Sequence, residues 1–226
     1  MRQVPLALGP EPAWRFDNFV VGGNDQWDQM CCALGAPRPD TPVYLWGPMG
    51  SGKSHLLHAA AALAQADGLR VAAFDLRTPL PWEVDDSVRL LILDDCDRYN
   101  TLQQHAAFTA FVEATSLAMP VLAAGRLPPV DLPVRDDLRS RLAWGLVYQL
   151  NPPNEEEART VLRCEADRRG IVLSEDVIDY LLKRCARDLA HLMSLLDRLD
   201  EYALATQRAV TVPLVREMLQ QDGGGL

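Results

Sequence analysis

Covalent and metal chemistry have little to work with in these 226 residues. The five cysteines (Cys31, Cys32, Cys96, Cys164 and Cys185) form no C-x-x-C pair, and the four histidines do not fall at zinc-ligand spacing near them. That pattern is expected of free thiols in a reducing compartment. No apolar run approaches the roughly 18 residues that a membrane span requires. The start, Met1 to Pro10, is too poor in apolar residues and too punctuated by proline to read as a secretory leader. Positive charge is scarce as well: 22 Lys and Arg against 31 Asp and Glu give a net charge of -9. Such a balance weighs against a chain whose main task is to neutralise nucleic-acid phosphates. A soluble, cytoplasmic protein with no membrane partner is expected. What the chain has in plenty is apolar residue, 48% of the total, which is ample for a buried core. No internal repeat is visible.

Along the chain, short apolar runs alternate with helical stretches. Residues 1–13 are Pro-rich and irregular. A helix is expected from about Asn24 to Leu34, ended by the Pro37/Pro39/Pro42 cluster. Val43–Trp46, Arg70–Phe74, Arg89–Leu93, Val121–Ala124 and Leu146–Leu150 read as buried strands. Helices are expected over Ser54–Gln65, with Gly68 just past the end, and over Thr101–Ala118. The order predicts an α/β domain built on a parallel five-stranded sheet sandwiched by helices. Beyond Asn151-Pro-Pro153 only helical periodicity remains, over 155–168, 175–184, 188–205 and 213–220, with Thr211 as a cap for the last. The expected domains are therefore an N-terminal peptide (1–13), an α/β domain (14–151) and a small all-helical lid (152–222), followed by a loose glycine tail.

The sharpest motif is Gly47-Pro-Met-Gly-Ser-Gly-Lys-Ser54, which satisfies G-x-x-x-x-G-K-[ST]. Glycines let backbone N–H groups turn inward around phosphate oxygens, and the helix that follows aims its positive end at the same anion. Lys53 is expected to reach the β- and γ-phosphates and the Ser54 hydroxyl to hold Mg²⁺. Gly47, Pro48, Gly50, Ser51, Gly52, Lys53, Ser54 and His55 are the candidate nucleotide-binding run. About 40 residues further on, Leu90-Leu-Ile-Leu-Asp-Asp95 is an apolar strand ending in two carboxylates, the Walker B form. Asp94 is the candidate that holds Mg²⁺ through water, and it joins Ser54 as the metal-binding pair. The expected cofactors are ADP or ATP with Mg²⁺. Base choice is not legible, since such loops grip phosphates and not bases.

Later residues carry a family resemblance. Asp137-Leu-Arg-Ser-Arg-Leu-Ala-Trp-Gly145 resembles the S-R-[LF]-x-W-G box of the bacterial replication initiator DnaA and its relatives, members of the AAA+ class. Trp14-Arg-Phe-Asp-Asn-Phe-Val20 resembles the box that opens the DnaA AAA+ domain, near its base pocket. Ala186-Arg-Asp-Leu189 is similar to the sensor 2 region. The resemblance implies that Arg141 is an arginine finger acting on nucleotide bound to a neighbouring subunit, that Arg187 faces the bound phosphates, and that Asp95 stands where many AAA+ proteins place a water-polarising glutamate. The run ends at Leu226 without a helix-turn-helix domain of the DnaA kind. The arrangement is similar to the Hda type of DnaA-related inactivator, in which a Q-L-x-L-x-L peptide precedes the AAA+ domain and binds the sliding clamp. Gln3, Val4, Leu6 and Leu8 of Gln3-Val-Pro-Leu-Ala-Leu8 are the matching positions, with Val4 and Pro5 departing from the pattern.

Two departures bear on chemistry. The sensor 1 region, at the end of Val121–Arg126, often supplies a polar side chain that orients attacking water; Ala124 and Gly125 offer none, and Arg126 is not an obvious substitute. Asp95 is shorter than the glutamate common at its position. Both point to weak or absent self-catalysed hydrolysis while leaving nucleotide binding and the use of Arg141 in trans intact. The resemblance therefore implies a negative regulator of replication initiation. Its partners would be DnaA and the DNA polymerase III sliding clamp (the beta subunit), with DNA met only through the clamp, ADP as its own ligand and a homo-oligomer as an option. Two alternatives stay open: an autonomous AAA+ ATPase or helicase-loader-like factor, and a DNA-binding module that acts by recruitment.

Overall fold

The computed structural model describes residues 14–35, 41–185 and 189–223. The chain divides into two compact units, Ala13–Pro152 and Pro153–Leu226. The first contains β1 (Val43–Trp46), β2 (Arg70–Phe74), β3 (Val88–Leu93), β4 (Val121–Gly125) and β5 (Leu146–Gln149), with α1 (Trp27–Leu34), α2 (Lys53–Ala66), α3 (Thr101–Ser116) and α4 (Asp136–Leu142). The strands form one sheet in the order β2-β3-β4-β1-β5. Every pairing is parallel. This is the α/β AAA+ architecture.

Period-2 alternation explains why helices cover both faces. Tyr44, Leu91, Leu93, Val121 and Ala123 pack with Phe111 of α3 and Leu138 and Leu142 of α4. Their alternates, Val43, Leu45, Leu90, Ile92, Leu122 and Ala124, pack with Met30 of α1 and Leu56 and Leu57 of α2. The central strands β1 and β4 are apolar along their whole length, as a sheet covered on both sides demands. α3 begins where Asn100 accepts hydrogen bonds from the N–H groups of Leu102 and Gln103, while the Gln103 side chain accepts from the Asn100 N–H, a reciprocal capping box.

The second unit contains α5 (Glu155–Arg168), α6 (Glu175–Cys185), α7 (Leu189–Thr206) and α8 (Val212–Gly223). Its core is Leu162, Val177, Leu181, Leu192, Leu196, Leu199, Leu214 and Val215 with their neighbours, one stripe from each helix. Asn154 and Glu157 form a capping box at the start of α5.

The structure differs from expectation in three places. α1 starts at Trp27 and not near Asn24, because the Asn24 side chain is used elsewhere: its Nδ2 donates to the Val21 carbonyl and its Oδ1 accepts from the Asn151 N–H. α3 ends at Ser116, and Ala118 turns to a left-handed φ of 50°. α4 is a seven-residue helix that periodicity did not reveal, being too short to show a stripe. Cys31, Cys32, Cys96 and Cys164 are free thiols. Among the described residues no helix is long and apolar enough to cross a membrane.

Candidate functional site

Parallel strands bring all their C-terminal ends to one edge of the sheet, where open α/β folds place their ligands. Register fixes what meets there. Trp46 of β1 is level with Gly125 of β4, and Leu93 of β3 is level with Ala123 of β4. The phosphate-loop candidate therefore leaves β1 beside the end of β4, and Asp94 and Asp95 leave β3 on its other side.

The loop is shaped for an anion. Gly52 adopts φ 92°, ψ 9° at the head of α2, a left-handed turn that side chains resist. A Cβ there would also run into the Phe19 ring. α2 has neither a capping side chain nor an acidic residue in its first turn. The positive end of this helix is thus left uncapped by any side chain and open to a ligand. Lys53 is buried, and its Nζ donates to the carbonyls of Gly47 and Pro48, each at 2.8 Å, and to the Ser51 hydroxyl at 3.3 Å. Burial holds the Lys53 ammonium below its ordinary pKa, opposed by the charges of Asp94, Asp95 and Asp97. A partly desolvated ammonium beside uncapped N–H groups gains most from a phosphate. Pro48 is exposed and Gly50 half-buried in the same loop.

Ser54 lies exposed in the first turn of α2, and Asp94 half-buried at the end of β3. Asp94 Oδ1 accepts from the Asp95 N–H at 2.8 Å, and no hydrogen bond to Oδ2 is present among the described residues. A hydroxyl and a carboxylate are hard oxygen donors of the kind Mg²⁺ takes when phosphates and water complete its shell. Among the described residues no cluster of three or more His, Cys, Asp or Glu forms a self-sufficient cage. This donor set fits a metal that arrives with nucleotide, held by Ser54 and Asp94.

Asp95 has φ 56°, and its carboxylate lies 3.9 Å from Arg98. Burial, then the neighbouring Asp94 charge, pushes its carboxyl above the ordinary carboxylate pKa. His55 Nε2 donates to the Arg15 carbonyl at 2.9 Å, and Trp14 stacks on His58 at 4.3 Å between centroids. Phe19 stacks on Trp27 at 4.8 Å. The Trp14–Val20 segment is therefore fastened to α2 next to the loop.

The residue that sequence reasoning missed is Asp97. Its side chain is 1% exposed, and it accepts from Arg126 twice, from the backbone N–H at 2.9 Å and from Nε at 2.6 Å. Its only signal in the sequence is a third acid two residues past the Walker B pair.

Arg141 lies on α4, away from this cluster in sequence, with its guanidinium 5.8 Å from the Trp144 ring centroid. Two nearby arginines are neutralised, Arg135 at the N-cap of α4 by Asp137 and Arg139 on α4 by Asp136. Arg141 makes no ion pair among the described residues. Arg187 and the peptide positions Gln3, Val4, Leu6 and Leu8 lie outside the described residues.

Two family models match the sequence: the bacterial DnaA ATPase domain over residues 11–74, and the Hda lid domain over residues 155–219. The fold is similar to domain III of the Thermotoga maritima replication initiation protein DnaA, at 22% identity and a TM-score of 0.76, over 93% of this chain and 97% of that one. It is also similar to AMPPCP-bound DnaA from Aquifex aeolicus, at 23% identity and a TM-score of 0.63, over 83% of this chain and 64% of that one. A variant of Thermotoga maritima RuvB matches at 18% identity and a TM-score of 0.65, over 95% of this chain and 73% of that one. At such identities these structures speak to the fold, and the family comes from the two sequence models. The chain is a DnaA-related AAA+ protein, close to Hda.

Proposed function

We propose that this protein is a negative regulator of replication initiation that binds nucleotide at its own phosphate loop and stimulates hydrolysis of ATP bound to DnaA. The loop at Gly47–Ser54 holds ADP or ATP, with Ser54 and Asp94 holding Mg²⁺. Solved DnaA from Aquifex aeolicus carries AMPPCP, which supports a nucleotide as the ligand of this related loop. The metal draws charge from the phosphate oxygens. The chain's own part is positional: Lys53 and the N–H groups of the loop fix the phosphates, and the Trp14–Val20 segment covers the loop.

Arg141 is supplied in trans. The observation that carries this reading is its lack of a carboxylate partner among the described residues, beside two paired arginines, Arg139 on the same short helix and Arg135 at its N-cap. An unpaired guanidinium braced on an aromatic ring can engage a γ-phosphate without first breaking an ion pair. There it stabilises charge as the phosphoryl group transfers. The N-terminal peptide, through Gln3, Val4, Leu6 and Leu8, docks on the sliding clamp. Tethering to DNA-loaded clamp raises the effective concentration of a weak contact, and suits an acidic chain that does not seek DNA phosphates directly. Asp95 is turned toward Arg98, which supports weak turnover by the protein alone.

The test is hydrolysis of DnaA-bound ATP in the presence of DNA-loaded clamp, comparing the wild type with Arg141→Ala and Gln3→Ala. Acceleration by the wild type, lost in both folded variants, is the expected result. A wild type that leaves DnaA unaffected yet turns over ATP by itself overturns the regulator reading and installs an autonomous ATPase.

A further inference from the structure

The helix that carries Arg141 has only seven residues. Two of them seat it: Leu138 and Leu142 are buried and pack in one cluster with Phe111 of α3. Four residues apart, they lie on one line along the helix. Apolar contact is non-directional, so this line sets how deep α4 sits and leaves its roll unset. Arg141, three residues past Leu138, lies off the line and would swing with any roll.

Directional contacts to α3 gather on Arg135, the N-cap of α4. Its backbone N–H donates to Gln104 Oε1 and its Nη1 to His105 Nδ1, each at 3.0 Å. A guanidinium has no acceptor, so the imidazole accepts here. The same guanidinium lies 5.5 Å from the centroid of the Phe108 ring, and Nη2 pairs with Asp137 in the first turn of α4 at 2.7 Å. One residue therefore joins three positions of α3 to the start of α4. Gln104 is held in turn, its Nε2 donating to the Tyr99 carbonyl at 2.8 Å. Arg139 gives the contrast: its partner Asp136 is on α4 itself, so that pair fixes nothing outside the helix. A surface ion pair alone is worth little, but a planar fork that meets an imidazole and a carboxylate together sets an orientation.

We propose that Arg135 is a positioning residue for Arg141: by clamping the start of α4 to Gln104, His105 and Phe108, it fixes the direction in which the Arg141 guanidinium points. The proposal rests on the reading of Arg141 as a finger that acts in trans on DnaA-bound ATP. A guanidinium aimed in advance loses little freedom when it meets the phosphate. Misplacing such a group by an ångström costs rate and leaves the docking of the two proteins untouched. Arg135 itself touches no nucleotide and acts only through Arg141.

The experiment is single-turnover hydrolysis of DnaA-bound ATP with DNA-loaded clamp, titrating the full chain and reading the saturating rate apart from the half-saturating concentration. Arg135→Ala is expected to lower the saturating rate by about tenfold or more and to leave the half-saturating concentration within about twofold. Added to Arg141→Ala, it should cost nothing further, because a residue that acts through another has no effect once that other is gone. His105→Ala removes one contact of the clamp at an exposed position and should show the same split at smaller size. It decides the matter alone if Arg135→Ala does not melt cooperatively. An unchanged saturating rate overturns the inference while the regulator reading stands. So does a loss confined to the half-saturating concentration, which would make Arg135 a docking residue, or a loss that adds in full to that of Arg141→Ala. A wild type that does not stimulate DnaA overturns the regulator reading and this inference together.

Discussion

The Oδ1 of Asn24 accepts a hydrogen bond at 2.8 Å from the backbone N–H of Asn151, 127 residues further along the chain. The Asn151 side chain returns the contact by donating to the Gly23 carbonyl at 2.9 Å. Asn24 is itself buried while Asn151 is exposed, so only the Asn24 side of the bridge is shielded from water. Asn24→Ala is expected to cost about 1 kcal/mol, the net worth of the hydrogen bonds its side chain makes to the Asn151 N–H and the Val21 carbonyl. A denaturant titration with an unchanged m-value would check it.

Gly52→Ala combines two faults, a left-handed φ of 92° and a Cβ driven against Phe19. The backbone alone is expected to cost about 1–3 kcal/mol. Removing the ring gives a diagnostic: in Phe19→Leu/Gly52→Ala the clash is relieved and the backbone cost remains. Thermal melts of the two singles and the double, read as a cycle, should show less than additive loss.

Asp95→Asn is expected to stabilise the protein at neutral pH. Burial and the Asp94 charge raise the folded-state pKa of Asp95 above its ordinary value of 3.8. Between 3.8 and that raised value the unfolded chain has lost the proton while the folded chain keeps it, so stability falls as pH rises through the window. Asparagine avoids this loss and tolerates φ 56° better than most residues. Its gain in Tm should be present at pH 7 and shrink toward zero below about pH 4. A gain of equal size at both values would assign the effect to the backbone alone.

Arg141→Ala is expected to lower stimulated hydrolysis of DnaA-bound ATP by roughly 10³-fold, with Tm unchanged because its guanidinium rests on the exposed Trp144 ring. Arg141→Lys keeps the charge but not the planar fork, and should recover little of the rate. Single-turnover measurements separate this loss from weaker docking. Full activity in the lysine variant would mean that charge alone suffices.

Much of this was legible because the signals were local. The strands are four to six residues of nearly unbroken apolar character, and the loop between β1 and α2 carries its chemistry in eight adjacent positions. The expected helix start near Asn24 came too early because only the fold supplies Asn151 as the partner of that side chain. Asp97 and Arg126 were illegible as a pair for the same reason: 29 residues separate them, and the register of β3 on β4 brings them together. α4 was read as a motif and not as a helix, since seven residues give barely two turns.

Strand order has a consequence for how the protein is made. β4 lies between β3 and β1, although it follows both in sequence. A ribosome that has delivered the chain as far as Asp95 has supplied the loop and both carboxylates, yet not the strand that sets them side by side. A truncated product ending before Val121 therefore lacks the strand that joins β3 to β1, and the loop and the carboxylates are set side by side only once Val121–Gly125 have wedged into the middle of the sheet.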